Sequence, residues 1–134
     1  YKDSKIVQLA STTEGRLTIE LMNYLKEKNR YKDSDEFLNQ AGGDLLICMA
    51  YLKALDDYFD VDEAIVYAKK ATGKNKNSYT TNIICALIEA QKAMGSDWSE
   101  VYNLTNNVRL NRSLNRDMKE EAVKIIFEYM DLYK

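Results

Sequence analysis

The residue types that carry most enzyme chemistry are sparse in this sequence. It contains no histidine, so the commonest general base and the commonest metal ligand are both missing. Its two cysteines, Cys48 and Cys85, cannot form a four-ligand zinc site by themselves. We therefore predict no catalytic residues, no metal and no cofactor, and we do not expect an enzyme.

Acidic residues crowd the segment around position 60, and such a cluster can bind calcium. The cluster consists of Asp56, Asp57, Asp60, Asp62 and Glu63. An EF-hand loop needs acids at alternate positions, then a glycine and a distant glutamate, and no register of this segment supplies that spacing. We interpret the cluster as helix capping and a solvated turn.

Three arginines, Arg109, Arg112 and Arg116, recur at i, i+3 and i+7. If the segment is helical they share a face, and a phosphate-rich or acidic partner could bind there. The alternative is an ordinary charged surface. A net charge of −2 offers no overall attraction to nucleic acid or to an anionic membrane, so neither is an expected partner.

The strongest pattern in the sequence is a repeat of 37 residues, which aligns 44–80 with 81–117. The two copies share four identities: Ile47 with Ile84, Cys48 with Cys85, Asp60 with Asp97, and Glu63 with Glu100. A fixed period of this size is the signature of stacked helical hairpins, in which each repeat buries its apolar face against its neighbours.

Four acidic residues are placed to cap helices. Each precedes a glutamate by three residues, the spacing of a capping box in which both side chains satisfy backbone N–H groups of the first turn. These predicted N-caps are Asp33, Asp60, Asp97 and Asp117. Carboxylates also suit the positive end of the helix dipole.

The composition favours one all-helical domain over residues 1–134. There is no proline, and there are only five glycines, so the commonest helix breakers are rare. A chain of this length buries roughly two-thirds of its unfolded surface. No apolar run approaches the ~20 residues that span a bilayer, so no membrane association is predicted. Because the chain begins at Tyr1, without a methionine, we expect a piece of a longer protein. No signal peptide is visible in it, and we expect a cytoplasmic location.

Two helices are predicted near the N-terminus of the chain, within residues 1–43. One is short, over 4–13, and the other is an amphipathic helix over 14–30. A further helical stretch opens at Asp33 and passes through Gly42-Gly43. We predict a break or a kink there, because each glycine costs ~1 kcal/mol in a helix interior.

Each repeat is expected to hold two helices, over 44–58 and 61–72 in the first and over 79–94 and 98–108 in the second. Gly73 is placed to take a left-handed cap. The polar segment 106–115 reads as a loop or a frayed helix end. A closing helix over 118–134 carries apolar residues on one side: Met118, Ala122, Ile125, Ile126, Tyr129 and Tyr133. The total is about six to seven helices.

The junction between the helices of the second repeat resembles that of the tetratricopeptide repeat family. Gly95, Asp97, Trp98, Glu100 and Val101 match the family's Gly-Asp-Tyr-x-Glu-Ala junction in kind, with one extra residue. The first repeat matches only part of it, its period exceeds the family's ~34 residues, and the terminal prolines are absent. The resemblance covers 44–117 and implies antiparallel hairpins stacked as a short right-handed superhelix.

The resemblance also implies a protein–protein interaction module, whose concave face of first helices binds a peptide or a partner's helix. Carried onto this sequence, the face contains Leu45, Met49, Leu52, Lys53, Asn82, Ala86, Glu89 and Ala90. Few of these are cationic, which favours an apolar or helical partner over an acidic tail. The alternative is that the N-terminal helices cover this face.

Two other functions stay open. By analogy with bacterial transcription regulators that carry degenerate repeats, the same groove could sense a short peptide. A self-associating assembly or scaffold domain is the second, with a homodimer formed through the stripe of Met118–Tyr133. Cys48 and Cys85, about one helix spacing apart, are too distant for a disulfide, so we predict buried free thiols in a reducing compartment.

Overall fold

The computed structural model describes residues 33–56 and 60–134, and this part of the chain confirms the all-helical prediction. Within these residues there are six α-helices and no β-strand. They are α1 (Ser34–Gln40), α2 (Gly43–Asp56), α3 (Asp62–Lys74), α4 (Tyr79–Ala93), α5 (Trp98–Leu110) and α6 (Glu120–Met130). A 3-10 turn over Asp131–Tyr133 continues α6. The helices predicted over 4–13 and 14–30 lie outside the described residues.

The helices form two hairpins, α2 with α3 and α4 with α5. Their connections are short, so the two helices of each hairpin run antiparallel. Helix α4 also packs against both α2 and α3, which places it at the centre of the described residues. The hairpin boundaries agree with the two repeats to within a few residues.

Two of the four predicted N-caps are confirmed. The Asp33 carboxylate accepts the Glu36 N–H at 2.9 Å, and the Asp97 carboxylate accepts the Ser99 N–H at 3.1 Å. The N–H of Asp97 donates to the Ala93 carbonyl at 2.7 Å. In a capping box the glutamate side chain would accept this N–H, so here the end of the preceding helix takes the place of Glu100.

The prediction for Asp60 is wrong by one residue, and the one for Asp117 is wrong about the helix. Val61 is the N-cap of α3, and the Asp60 carboxylate accepts the N–H of Asp62, the first residue of that helix, at 3.3 Å. Helix α6 starts from Lys119, which forms no side-chain cap. Asp117 instead caps α4, because the 111–119 loop lies across the start of that helix and pairs with it through Asn115.

The predicted break at Gly42-Gly43 is confirmed, since α1 ends at Gln40 and α2 begins at Gly43. A methyl group on Gly43 would overlap the amide end of the Asn75 side chain, so glycine permits the close approach seen here. The Asn75 amide donates to Asp44 at 2.9 Å and to Thr81 at 3.3 Å. Asn75 therefore links equivalent positions of the two repeats.

The prediction of a left-handed cap at Gly73 is wrong. Helix α3 continues through Gly73 to Lys74, and Asn75 is its C-cap. The Lys74 ammonium donates to the Asn39 carbonyl at 3.0 Å and also to that of Ala41. A cation at the carboxyl end of α1 complements that helix's dipole, and reaching it requires the extra residues of α3.

The buried side chains form two clusters that meet at α4. The first cluster joins α1, α2 and α3 to one side of α4, with Tyr67 and Phe37 among its largest members. The second joins the other side of α4 to α5 and α6, through Ile83, Val101 and Phe127. Helix α4 therefore contributes residues to both clusters, whereas α6 contributes to the second cluster alone.

Candidate functional site

Several residues predicted to line the concave face lie in the core of the described structure. Met49, Leu52 and Ala86 are at most 5% exposed, and Ala90 is also buried. Helices α2 and α4 carry buried residues on several sides, which is typical of helices surrounded by other parts of a protein. Half of the predicted contact set thus belongs to the core, and Leu45 packs partly buried against it.

The polar members of the predicted face are bound within the chain. Lys53 forms an ion pair with Glu63 at 2.9 Å and lies over the Tyr67 ring. Asn82 donates to the carbonyls of the loop before its own helix. Glu89 accepts the Cys85 thiol at 3.3 Å and faces Lys69 at 3.5 Å, so it ties α4 to α3.

The three arginines of the predicted anion patch do not share a helical face, because α5 ends at Leu110. Arg109 turns inward, with its guanidinium 4.1 Å from the centre of the Phe127 ring. Arg116 lies in the following loop over the ring of Tyr79. Arg112 is exposed in that loop, so the structure does not gather these cations into one site.

The two cysteines are free thiols, as predicted, with Cys85 buried and Cys48 half-buried. Burial raises the pKa of Cys85 to about 12, and the neighbouring Glu89 carboxylate adds to the effect. Burial likewise raises the pKa of Cys48. Thiol nucleophiles act as thiolates, so these environments suppress cysteine chemistry.

Two of the clefts on the described surface contain polar groups that are already paired within the chain. One, of about 550 Å³, lies between the start of α3 and the end of α4, where Lys92 forms an ion pair with Asp62 at 2.7 Å. The other, of about 350 Å³, surrounds the start of α4, where Asp117 caps the helix. The structure therefore gives no reason to place a ligand in either cleft.

An exposed aromatic and aliphatic surface lies at the far end of the described chain. Its most exposed members are Trp98 (60%), Ile125 (68%), Tyr129 (48%) and Leu132 (76%). Tyr133 joins them, since its ring stacks on the Trp98 indole at 5.4 Å and meets Tyr129 edge-on at 5.4 Å. We call these five residues the Trp98 face.

The buried side of α6 orients this face. Val123, Phe127 and Met130 pack into the second cluster, so the opposite residues of the helix, Ile125 and Tyr129, point outward. Leu132 extends the same stripe into the 3-10 turn. The hydroxyls of Tyr129 and Tyr133 lie 2.7 Å apart, and this hydrogen bond raises the pKa of Tyr129 above its ordinary value of 10.

Arg109 fixes α6 to α5. Its guanidinium donates to the Tyr102 hydroxyl at 2.9 Å, to the Asn106 amide oxygen and to the Asp131 carboxylate at 3.1 Å. It also packs on the Phe127 ring. One side chain thus holds both α6 and the 3-10 turn in place, so the Trp98 face sits on an anchored scaffold.

Acidic residues border the Trp98 face. Glu121 and Glu128 lie on α6 at i−4 and i+3 from Ile125, and Asp97 and Glu100 flank Trp98 at the start of α5. A hydrogen bond from Ser99 lowers the pKa of Asp97 below its ordinary value of 3.8. The border therefore carries negative charge at neutral pH.

The sequence placed Trp98 only as an apolar helix residue and as a match to an aromatic position of the repeat junction. Its stacking on Tyr133 joins residues 35 positions apart, which no local pattern reveals. The available signal was composition: this is the single tryptophan of the chain, and tryptophan is enriched where proteins bind one another.

No protein-family model, curated protein or solved structure matches the chain. Among the helices described here, none combines the length and apolar character needed to cross a membrane. Residues 33–56 and 60–134 also contain no group of three or more acidic or cysteine side chains arranged to hold a metal ion.

Proposed function

We propose that this protein is a protein–protein interaction module, built on stacked tetratricopeptide-like hairpins, and that the Trp98 face is its docking site. The observation that supports the proposal is a set of one tryptophan, two tyrosines and two aliphatic side chains from α5, α6 and the 3-10 turn. Four of them are exposed, and the fifth, Tyr133, stacks on Trp98. Tryptophan and tyrosine dominate the energetic centres of protein interfaces, because they bury large apolar areas at small entropic cost.

This site replaces the concave face as the proposed contact surface. A docking residue must reach its partner, and Met49, Leu52 and Ala86 are buried in the core. The stripe on the closing helix fits the alternative expectation of an interface through Met118–Tyr133. The exposed part of that stripe, together with Trp98, is the part that a second protein can contact.

Site-specific photocrosslinking in the host cell tests this function. A photoreactive amino acid at position 125 of the full-length protein should give one discrete adduct of higher mass on illumination. The matched control is position 66, since Val66 is half-exposed on α3 of the other hairpin and should give no such adduct.

The mass of the adduct separates the possible partners. An adduct of two copies of the chain would indicate a self-associating scaffold, and one with a second protein would indicate an adaptor. The same adducts from both positions, or none from position 125, would overturn the Trp98 face as a docking site.

A further inference from the structure

The backbone around the Trp98 face restricts the conformation of a partner. The face is formed by helical residues and a 3-10 turn, whose backbone groups are largely bonded within their own elements. It therefore offers few backbone donors or acceptors to an extended peptide, whose own N–H and C=O groups would lose water without replacement. A helix satisfies its backbone internally and avoids this cost.

The shape of the face fits the same conclusion. Ile125, Tyr129 and Leu132 follow one another at i, i+4 and i+7, so they form an apolar ridge of about 10 Å along α6 and the 3-10 turn that continues it. Trp98 and Tyr133 stand beside that ridge. Ridges of this spacing pack against the grooves between side chains on a second helix.

The charges restrict the composition of the partner. Glu121, Glu128, Asp97 and Glu100 border the face, whereas the neighbouring cations are Lys124 and Lys134. Lys124 lies 4.0 Å from Glu128 and partly offsets it. A further acid, Asp131 on the 3-10 turn, is paired with Arg109. The remaining excess of acid attracts a partner with basic flanks.

A second copy of the chain fits this border less well. A two-fold pairing of α6 with itself would bring Glu121 and Glu128 of both copies to the same interface, with one neighbouring lysine, Lys124, from each copy. Like charges placed together across an interface cost free energy, so this pairing of two copies is unfavourable.

We infer that the partner of the Trp98 face is an amphipathic helix whose apolar stripe is flanked by lysine and arginine. This inference rests on the proposed function and names the chemistry of the docked element.

Trp98 reports on its own site, because it is the only tryptophan in the chain. The probes are three synthetic peptides: a leucine–lysine helix with leucines at i, i+4 and i+7, the same helix with glutamate in place of lysine, and a leucine–lysine peptide of scrambled order. Each is titrated into the 134-residue chain at about 0.15 M salt, where distant charges are screened. The measured quantity is the emission wavelength and intensity of Trp98.

The leucine–lysine helix should shift the emission to shorter wavelength and saturate, with the glutamate helix at least tenfold weaker and the scrambled peptide weaker still. In the variant Glu121→Lys with Glu128→Lys, the preference should change to the glutamate helix. Ile125→Glu should weaken both helices at least tenfold, whereas the control Val66→Glu should bind like the wild type.

Equal binding of the lysine and glutamate helices would overturn the inferred charge of the partner. If Ile125→Glu binds the leucine–lysine helix as tightly as the wild type does, charge alone attracts the peptide, and docking on the Trp98 face is overturned. If no peptide changes the emission of Trp98, the inferred helical partner is overturned. Each of these results can coexist with a discrete adduct at position 125, which tests the proposed function by itself.

Discussion

Helix α4 begins the second hairpin and α6 follows that hairpin, yet the two helices lie in opposite environments. Helix α4 lies between two apolar clusters and buries residues on both of its sides, including Ile83 and Ile88. Helix α6 buries one side only and leaves Ile125 and Tyr129 exposed. The comparison teaches that a helix inside a stack becomes core, whereas one at the end of the described stack retains a surface available for binding.

The ends of the two helices differ in the same way. Two side chains cap the first turn of α4. The Ser78 hydroxyl accepts the Thr81 N–H at 3.1 Å, and the Asp117 carboxylate accepts the Thr80 N–H at 2.7 Å. Helix α6 begins at Lys119 without a side-chain cap. The central helix is thus fixed at its start by residues from two parts of the chain.

The largest expected difference is in the response to truncation of an isoleucine. Ile83→Ala should lower the free energy of unfolding by about 3 kcal/mol, because the residue is fully buried and a cavity remains. Ile125→Ala should change it by less than about 0.5 kcal/mol, because this side chain is exposed. Urea unfolding followed by circular dichroism measures both. Equal losses would show that Ile125 is packed.

The second prediction concerns the cap that α4 receives from a distant residue. Asp117→Ala should lower the free energy of unfolding by about 1 kcal/mol at neutral pH, since the Thr80 N–H and the Ser78 hydroxyl lose their acceptor. Glu121→Gln, in the first turn of α6, is the matched control and should have a smaller effect. An effect no larger than the control's would contradict the cap.

The same cap has a defined pH dependence. Burial raises the pKa of Asp117, but hydrogen bonds from Ser78 and Thr80 outweigh burial and hold this pKa below its ordinary value of 3.8. A carboxyl whose pKa is lowered by folding stabilises the fold above its unfolded pKa, and that contribution is lost as pH falls through the folded pKa. The difference between wild type and Asp117→Ala should therefore be constant above about pH 5 and shrink below about pH 4.

The smallest expected effect is a gain at the start of α6. Lys119→Ser should raise the free energy of unfolding by about 0.5 kcal/mol, because serine supplies the missing cap and a cation leaves the positive end of the helix. Hydrogen exchange of the α6 amides locates the gain. Lys134→Ser, at the far end of the 3-10 turn, is the control and should leave α6 unchanged. Faster exchange in α6 would contradict the prediction.

Local patterns predicted the described helices well, and two of their failures involve a side chain with a distant partner. Asp33 and Asp97 cap the helices that follow them, as their spacing indicated. Asp117 has the same spacing but caps α4, because a loop brings it beside Thr80. Gly73 lies inside α3, and the next residue, Lys74, donates to the carbonyls at the end of α1.

The sequence by itself determined the helical class, the 37-residue repeat and the break at Gly42-Gly43, because each depends on residues close together in the chain. Tertiary structure decided which apolar stripes are core. Periodicity places Met49 and Ile125 on helix faces, but only packing shows that one is buried and the other exposed. The Trp98 face depends on that decision, since its residues come from two helices whose contact no local pattern encodes.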